Sequence, residues 1–285
     1  MIRNRVRHVV TVAGIAALAL AACGGDDDAS SETAPPAADG TAGETADEPA
    51  TDDSSTAPAP SDVAVTTYYG EETTVPFDPA TVVVLDFAAL DTIDALGLGG
   101  RVAGIPSGTA LPPHLADYGD SAANIGTLFE PDFEAINALE PDLIVAGGRS
   151  QPLVGELAEI APTVDLTFGW GSEPFWDSMI ANTTAVGEIF DVEADATAAI
   201  EALEQSAADV AARAAEAGTG LVILTSGGEV SAYGPDPEGR FDLVYGMLGV
   251  TPAAEQVAID THGDAISFEF LADTDPDMLF VLDRD

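Results

Sequence analysis

With 285 residues, 46% of them hydrophobic, the chain can build one large or two medium globular domains, and its 8 Lys+Arg against 50 Asp+Glu set a formal net charge of −42. A surface of that sign repels phosphate backbones and argues against nucleic-acid binding. One cysteine excludes an internal disulfide, a two-thiol redox pair and a cysteine-based zinc site.

The first 23 residues read as a secretory leader. Arg3, Arg5, Arg7 and His8 form a basic start, residues 9–20 an apolar run, and Leu20-Ala21-Ala22-Cys23 a small-residue ending. The apolar run is shorter than the roughly 20 residues a membrane span needs. The four-residue ending resembles a bacterial lipobox, which implies lipid attachment to Cys23 and anchorage on the extracytoplasmic face of the cell membrane. Residues 24–61 are low-complexity, acidic and without an aromatic residue; they are expected to form a disordered tether.

The folded part begins at Val63. Residues 63–69 and 73–75 flank Gly70-Glu71-Glu72 as a hairpin. The unbroken apolar run 81–85 predicts a buried parallel strand, 90–96 a helix closed by Gly97, and 101–105 a further strand. A helix over 133–139, a strand over 143–146, a helix over 153–160 and a strand over 163–168 continue an alternating β/α lobe, assigned to 63–190. Helices follow over 175–190 and 194–217; the second is Ala/Glu-rich without Gly or Pro, so 191–218 is predicted to be a rigid connecting helix. Residues 219–285 form a second β/α lobe, with strands over 221–225 and 230–233, a helix over 241–248, a helix over 266–272 and a strand over 278–282. The expectation is therefore an α/β protein: two β/α lobes, a long helix between them, and a ligand cleft between the lobes. Because an open α/β sheet ordinarily continues past such a strand, the C-terminal lobe is expected to be truncated.

One stretch occurs twice. Phe133 and Glu134 return as Phe268 and Glu269, Pro141-Asp142 as Pro276-Asp277, and Arg149 as Arg284, each 135 residues on. Arg149 and Arg284 follow strands, where open α/β sheets bind ligands. Arg240 follows the turn-rich Gly234-Pro235-Asp236-Pro237-Glu238-Gly239. Forked guanidinium donors suit an anionic, oxygen-rich ligand, and the alternative is that each arginine neutralises nearby carboxylates. His262, in Asp260-Thr261-His262-Gly263-Asp264, reads as a metal ligand, a hydrogen-bond donor or an exposed loop residue, and His114 as an exposed loop residue. Glu134 and Glu269 open their helices. Each either favours its helix N-terminus by about 0.3–1 kcal/mol or forms one of two matched acidic knobs for a two-fold partner. Trp170, Trp176, Tyr68 and Tyr69 suit core or cleft wall. Neither Gly-x-Ser-x-Gly nor a P-loop occurs.

On these features the chain resembles a substrate-binding lipoprotein of an ABC importer, of the helical-spine class that carries ferric siderophores, vitamin B12 or haem. Ala146-Gly147-Gly148-Arg149-Ser150-Gln151, Gly239-Arg240-Phe241, Thr261-His262-Gly263, Ile266-Ser267-Phe268-Glu269-Phe270 and Phe280-Val281-Leu282-Asp283-Arg284 look like the catecholate-siderophore (enterobactin- and petrobactin-type) branch. The resemblance implies a monomeric, non-enzymatic receptor with no permanently bound cofactor, whose ligand is a ferric (Fe3+) siderophore. It implies that Arg149, Arg240 and Arg284 contact catecholate oxygens, and that His262 completes the iron shell where the siderophore leaves positions open. It further implies that Glu134 and Glu269 dock onto the permease. Receptors for B12, haem or a hydroxamate siderophore share the fold. A surface-anchored enzyme using His262 with Asp260 or Asp264 is the alternative of a different class.

Overall fold

A short antiparallel pair opens the folded region: β1 (Asp62–Val65) runs against β2 (Thr73–Pro76), a shorter first strand than predicted. The computed structural model describes residues 61–70, 72–169, 172–254, 257 and 263–284. Cys23, Trp170 and His262 lie outside them.

The alternating pattern then produces β3 (Val82–Val84), α1 (Phe87–Ala95), β4 (Val102–Ser107), α2 (Tyr118–Ser121), β5 (Ala123–Thr127), α3 (Phe133–Ala138), β6 (Leu143–Ala146), α4 (Val154–Leu157) and β7 (Thr163–Asp165). The five strands form one parallel sheet in the order β5-β4-β3-β6-β7. The chain starts at the centre, winds outward through β4 and β5, then crosses back to β6. The strand order therefore reverses beside β3, and the crevice beyond the ends of β3 and β6 is the position where such sheets bind ligands.

Successive side chains of a strand point to opposite faces, which explains why residues 81–85 carry no polar position. Val82 and Val84 pack with Leu90 and Ile93 of α1 and with Val186 and Ile189 farther along the chain. Val83 and Leu85 pack on the other face with Ile136 of α3 and Leu157 of α4. Helices cover both faces, as a parallel sheet requires. The helix predicted over 153–160 is confined to Val154–Leu157, preceded by a 3-10 turn over Gly148–Leu153 that contains Pro152.

Two helices follow, α5 (Ser172–Ile189) and α6 (Glu193–Ala217), separated by a bend at Asp191, whose φ is 58°. They approach closely at Gly187, where an added Cβ would stand 2.8 Å from that of Ala196. The 25 residues of α6 span about 37 Å at 1.5 Å per residue. Its buried residues are Ala196 near one end and Ala214 near the other.

Ala214 reaches the core of a second, mixed sheet. Its central strand β8 (Thr219–Ser226) turns back into β9 (Glu229–Tyr233) through Gly227-Gly228, with φ of 62° and 80°. Both residues lie in the left-handed region that a two-residue hairpin of this kind demands and that glycine enters freely. β10 (Thr251–Pro252) pairs parallel with β8, and β11 (Asp264–Ala265) antiparallel with β9. After α7 (Phe268–Thr274), β12 (Met278–Asp283) runs parallel to β8. The helix predicted over 241–248 is confined to Leu243–Met247 and is a wider π-helical turn. Within it, the buried Tyr245 hydroxyl donates to the Tyr233 carbonyl and accepts from the Val222 N–H.

The repeated stretch is a repeated structure. Asp132 and Ser267 cap α3 and α7 by accepting from Ala135 N–H and Phe270 N–H. Both units then pass through a left-handed residue, Glu140 (φ 46°) and Asp275 (φ 43°), before Pro-Asp. The Asp142 carboxylate accepts from Ala80 N–H at 3.0 Å and Thr81 N–H at 2.9 Å, directly before β3. The Asp277 carboxylate accepts from Thr219 N–H at 3.0 Å, at the start of β8. In each case the next residue pairs with the neighbouring strand: Leu143 with Val82, Met278 with Gly220.

Removing one of these clamps should loosen its strand pair. Asp142→Ala is expected to lower stability by about 1.5–3 kcal/mol, the range for losing a hydrogen bond to a charged group. A fall in the urea midpoint at unchanged slope would show it.

Candidate functional site

The crevice beyond β3 is built from the two segments that leave the sheet side by side. After Leu85, Asp86 turns the chain into α1, its Oδ1 accepting from Ala88 N–H (2.9 Å) and Ala89 N–H (3.0 Å). After Ala146, the chain turns through Gly147 and Gly148. The buried Ser150 hydroxyl bridges Gly147, accepting from its N–H and donating to its carbonyl. Gly148 N–H donates to Thr167 Oγ1, which in turn donates to Asp165 Oδ1 at 2.6 Å. Gly148 has φ +49°, and a Cβ there would stand 2.9 Å from Asp86 Oδ2. Both backbone conformation and space therefore demand glycine.

One cavity opens beside this turn, and a second lies against the second sheet. The first, of about 300 Å³, is lined by Asp86, Ala88, Phe168 and Phe175 from the first sheet and its helices, and by Arg240 and Leu243 from the segment after β9. The second, of about 360 Å³, is lined by Ser226, Glu229, Ser231, Tyr233, Arg240 and Arg284. Arg240 belongs to both. Arg284 directly follows β12, held by its N–H bonding to the Thr225 carbonyl at 3.0 Å.

Arg149 stands apart from both cavities. Its guanidinium lies over the ring of Phe129, 4.4 Å from the centroid, and Phe129 itself is 69% exposed. The difference from Arg284 is local. The Gly147-Gly148 turn carries the first copy out of its sheet at Ala146, whereas the second copy continues as strand through Asp283. Of the three arginines expected to share a cleft, Arg240 and Arg284 line one cavity, while Arg149 lies on the rim, next to Gly148.

Ion pairing decides between neutralisation and ligand binding residue by residue. Arg101 bonds Asp78 at 2.8 Å, and Arg213 Nε donates to the Asp209 carbonyl. Among the described residues, neither the Arg149 nor the Arg284 side chain has a carboxylate partner. In a chain with 50 acidic residues, that leaves two strand-end cations available to an external anion.

Burial pushes the Asp86 carboxyl above the ordinary aspartate range, opposed by the two N–H bonds it accepts and reinforced by the negative charge of Asp165. The sequence marks Asp86 as a helix cap after an apolar strand, but not as a cavity residue. Phe129, Phe168, Phe175 and Leu243 carry no sequence signal separating them from core residues.

Glu134 and Glu269 are both exposed, in the first turns of α3 and α7. Glu134 borders a shallow groove with Phe133, Asn137, Glu156, Glu159 and Ile160. His114 lies 2.6 Å from Asp91 Oδ1, and Tyr68 and Tyr69 stack edge to face on the surface. Among the described residues no group of three or more His, Cys, Asp or Glu could hold a metal ion. No described helix is long and apolar enough to cross a membrane.

Residues 82–285 match the profile of the family described as periplasmic binding protein. The chain is 39% identical over 214 residues to the petrobactin-binding protein YclQ of Bacillus subtilis, covering 74% of this chain and 66% of that protein. It is 30% identical over 218 residues to the ferric-anguibactin-binding protein FatB of Vibrio anguillarum, covering 75% and 66%. The chain thus spans just under two thirds of the length of these curated relatives. The crystal structure of YclQ superimposes with a TM-score of 0.70 at 37% identity, covering 78% of each chain. That of the periplasmic catecholate-siderophore binding protein VctP from Vibrio cholerae gives 0.68 at 32%, covering 79% of each.

The sign of the Asp86 shift makes a stability prediction. A carboxyl raised in the folded state contributes most below its unfolded value of 3.8 and loses that contribution as pH rises through its folded value. Asp86→Asn keeps a capping oxygen without the charge. It is therefore expected to be more stable than the parent at neutral pH, with the gap closing as pH falls below 3.8. Urea midpoints of both proteins across that interval measure it.

Proposed function

Because this chain belongs to the periplasmic binding protein family, we propose that it is an extracytoplasmic receptor that captures an anionic ferric siderophore of the catecholate type and passes it to the permease of an ABC importer. The observation that carries this reading is the pair of arginines that follow strands, Arg149 and Arg284, which have no carboxylate partner among the described residues of a strongly acidic chain, with Arg240 beside Arg284 in a polar cavity. Its relatives support it: they are binding proteins for petrobactin, ferric anguibactin and catecholate siderophores.

In this reading the catecholate oxygens, made anionic by iron, take charge-assisted hydrogen bonds from Arg240 and Arg284, and Arg149 leaves the Phe129 face to close over the chelate. Hydroxyls of Ser226, Ser231 and Tyr233 line the same cavity and add neutral donors. The receptor performs no chemistry on its cargo. His262 is assigned by its motif as an iron ligand for chelates that leave a coordination position open. Cys23 carries the lipid anchor, which keeps the monomeric receptor at the membrane. Glu134 and Glu269 share the same place in the two copies of one structural unit, and so present equivalent acidic contacts to a permease with two-fold symmetry. A receptor for a neutral ligand would leave the arginines without a use.

Arg240→Ala and Arg149→Ala should each weaken ferric-catecholate binding by about 1 kcal/mol or more, at least roughly fivefold. Titrations followed by quenching of intrinsic fluorescence check this, and unchanged affinity in both would overturn the assignment. Glu134→Ala combined with Glu269→Ala should leave that affinity intact and reduce uptake of radiolabelled iron in cells; full uptake would remove the docking role.

A further inference from the structure

Arg149 and Phe129 meet across the C-terminal edge of the first sheet. Arg149 follows β6 and Phe129 follows β5, with β3 and β4 lying between those strands. At about 4.8 Å per strand spacing, their contact bridges about 14 Å of that edge. It passes over the end of β3, where the candidate crevice opens. The ring is presented by a loop that does not need it. Thr127 N–H donates to the Glu130 carbonyl at 3.0 Å, and Thr127 Oγ1 accepts from Phe129 N–H (3.3 Å) and Glu130 N–H (3.0 Å). With 69% of its surface exposed, Phe129 adds little to the core; what its ring holds is the guanidinium, 4.4 Å from the centroid. That contact is attractive because the ring face carries partial negative charge. It is weaker than a charge-assisted hydrogen bond to an anionic oxygen.

We infer that Phe129 lowers the receptor's affinity by competing with the ligand for Arg149. In the empty protein the guanidinium rests on the ring; in the loaded protein it bonds the anionic chelate. Arg149 lines neither cavity while it lies on the ring, so reaching a ligand held by Arg240 and Arg284 requires it to leave. Each binding event gives up the ring contact, and the apparent affinity falls with the fraction of protein in which Arg149 is free. This rests on the receptor reading above and adds to it a residue that touches no ligand. Phe129 is a positioning residue acting through Arg149, and its removal tightens binding, where removal of a contact residue weakens it. A cation–π contact at an exposed site sets the effect at about two- to fivefold.

The test titrates a synthetic iron(III) tris-catecholamide complex into the full-length protein by isothermal calorimetry. Phe129→Leu, which keeps an apolar side chain without a π face, should bind the complex about two- to fivefold more tightly than wild type. Phe129→Trp, with the ring most attractive to a cation, should bind it more weakly than wild type. In an Arg149→Ala background the three forms should bind with equal affinity. A second measurement needs no ligand: in the empty protein the Arg149 Nε–H resonance should lie upfield under the Phe129 ring current. That shift should vanish in Phe129→Leu and on saturation with the complex. Weaker binding by Phe129→Leu, or absence of the upfield shift in the empty protein, overturns the competition. Equal binding by all Phe129 forms also overturns it, and the receptor reading stands if Arg149→Ala still weakens binding. A Phe129 effect that persists in Arg149→Ala overturns it too, because the ring then touches the ligand itself. Failure of every form to bind the complex overturns the receptor reading and this inference together.

Discussion

A carboxylate holding the backbone N–H where the neighbouring strand begins sets the geometry on which both halves of this protein depend. Asp142 does so for β3 and Asp277 for β8. With the start of each parallel pair pinned, register follows down the ladder: Val145 opposite Val84 in one sheet, Asp283 opposite Thr225 in the other. A one-residue slip would turn every side chain to the other face, bringing Val83 and Leu85 to the side that Val82 and Val84 fill. It would also move Arg149 relative to Asp86 and Arg284 relative to Thr225. The ligand-side residues are therefore placed by bonds at the opposite ends of the strands that carry them.

The same unit is put to different use in its two copies. In the first, a left-handed glycine turns the chain out of the sheet and leaves Arg149 on the rim, stacked on an exposed aromatic ring. In the second, the strand runs on and Arg284 lines the cavity that it shares with Arg240. Local environment outweighs the net charge of −42 at such a site. At physiological ionic strength, exposed charges are screened beyond about 8 Å, so a ligand in contact range responds to the few groups that face it. The absence of lysine makes every such contact a guanidinium, with planar and directional donors.

Much of this was legible in the order of residues. The apolar run at 81–85 foretold a strand covered on both faces, and the Gly-free 194–217 foretold α6. The duplication places Arg149 and Arg284 just after strands, where β6 and β12 end. What escaped was either non-local or a competition between local preferences. Nothing in Asp86 itself announces that one of its oxygens faces Gly148, 62 positions away in sequence and adjacent only because β3 pairs with β6. Phe129 reads like any loop aromatic until the Arg149 guanidinium is found on its face. The π-turn around Tyr245 defeated helical periodicity, since a buried phenol hydroxyl bonded to two other segments overrides propensity.

The helix α6 has burial at its two ends only, Ala196 near α5 and Ala214 in the second sheet. Its middle is held by alanine-rich propensity and by solvent-facing pairs such as Gln205 with Asp209. Such a segment has little tertiary packing to resist local opening. Amide protons there should exchange with solvent by transient fraying of the rod, well before those of β3 or β6. The middle of α6 is thus a compliant element between two stiff sheets, and its hydrogen-exchange rate would report strain on the connection independently of what happens in either core.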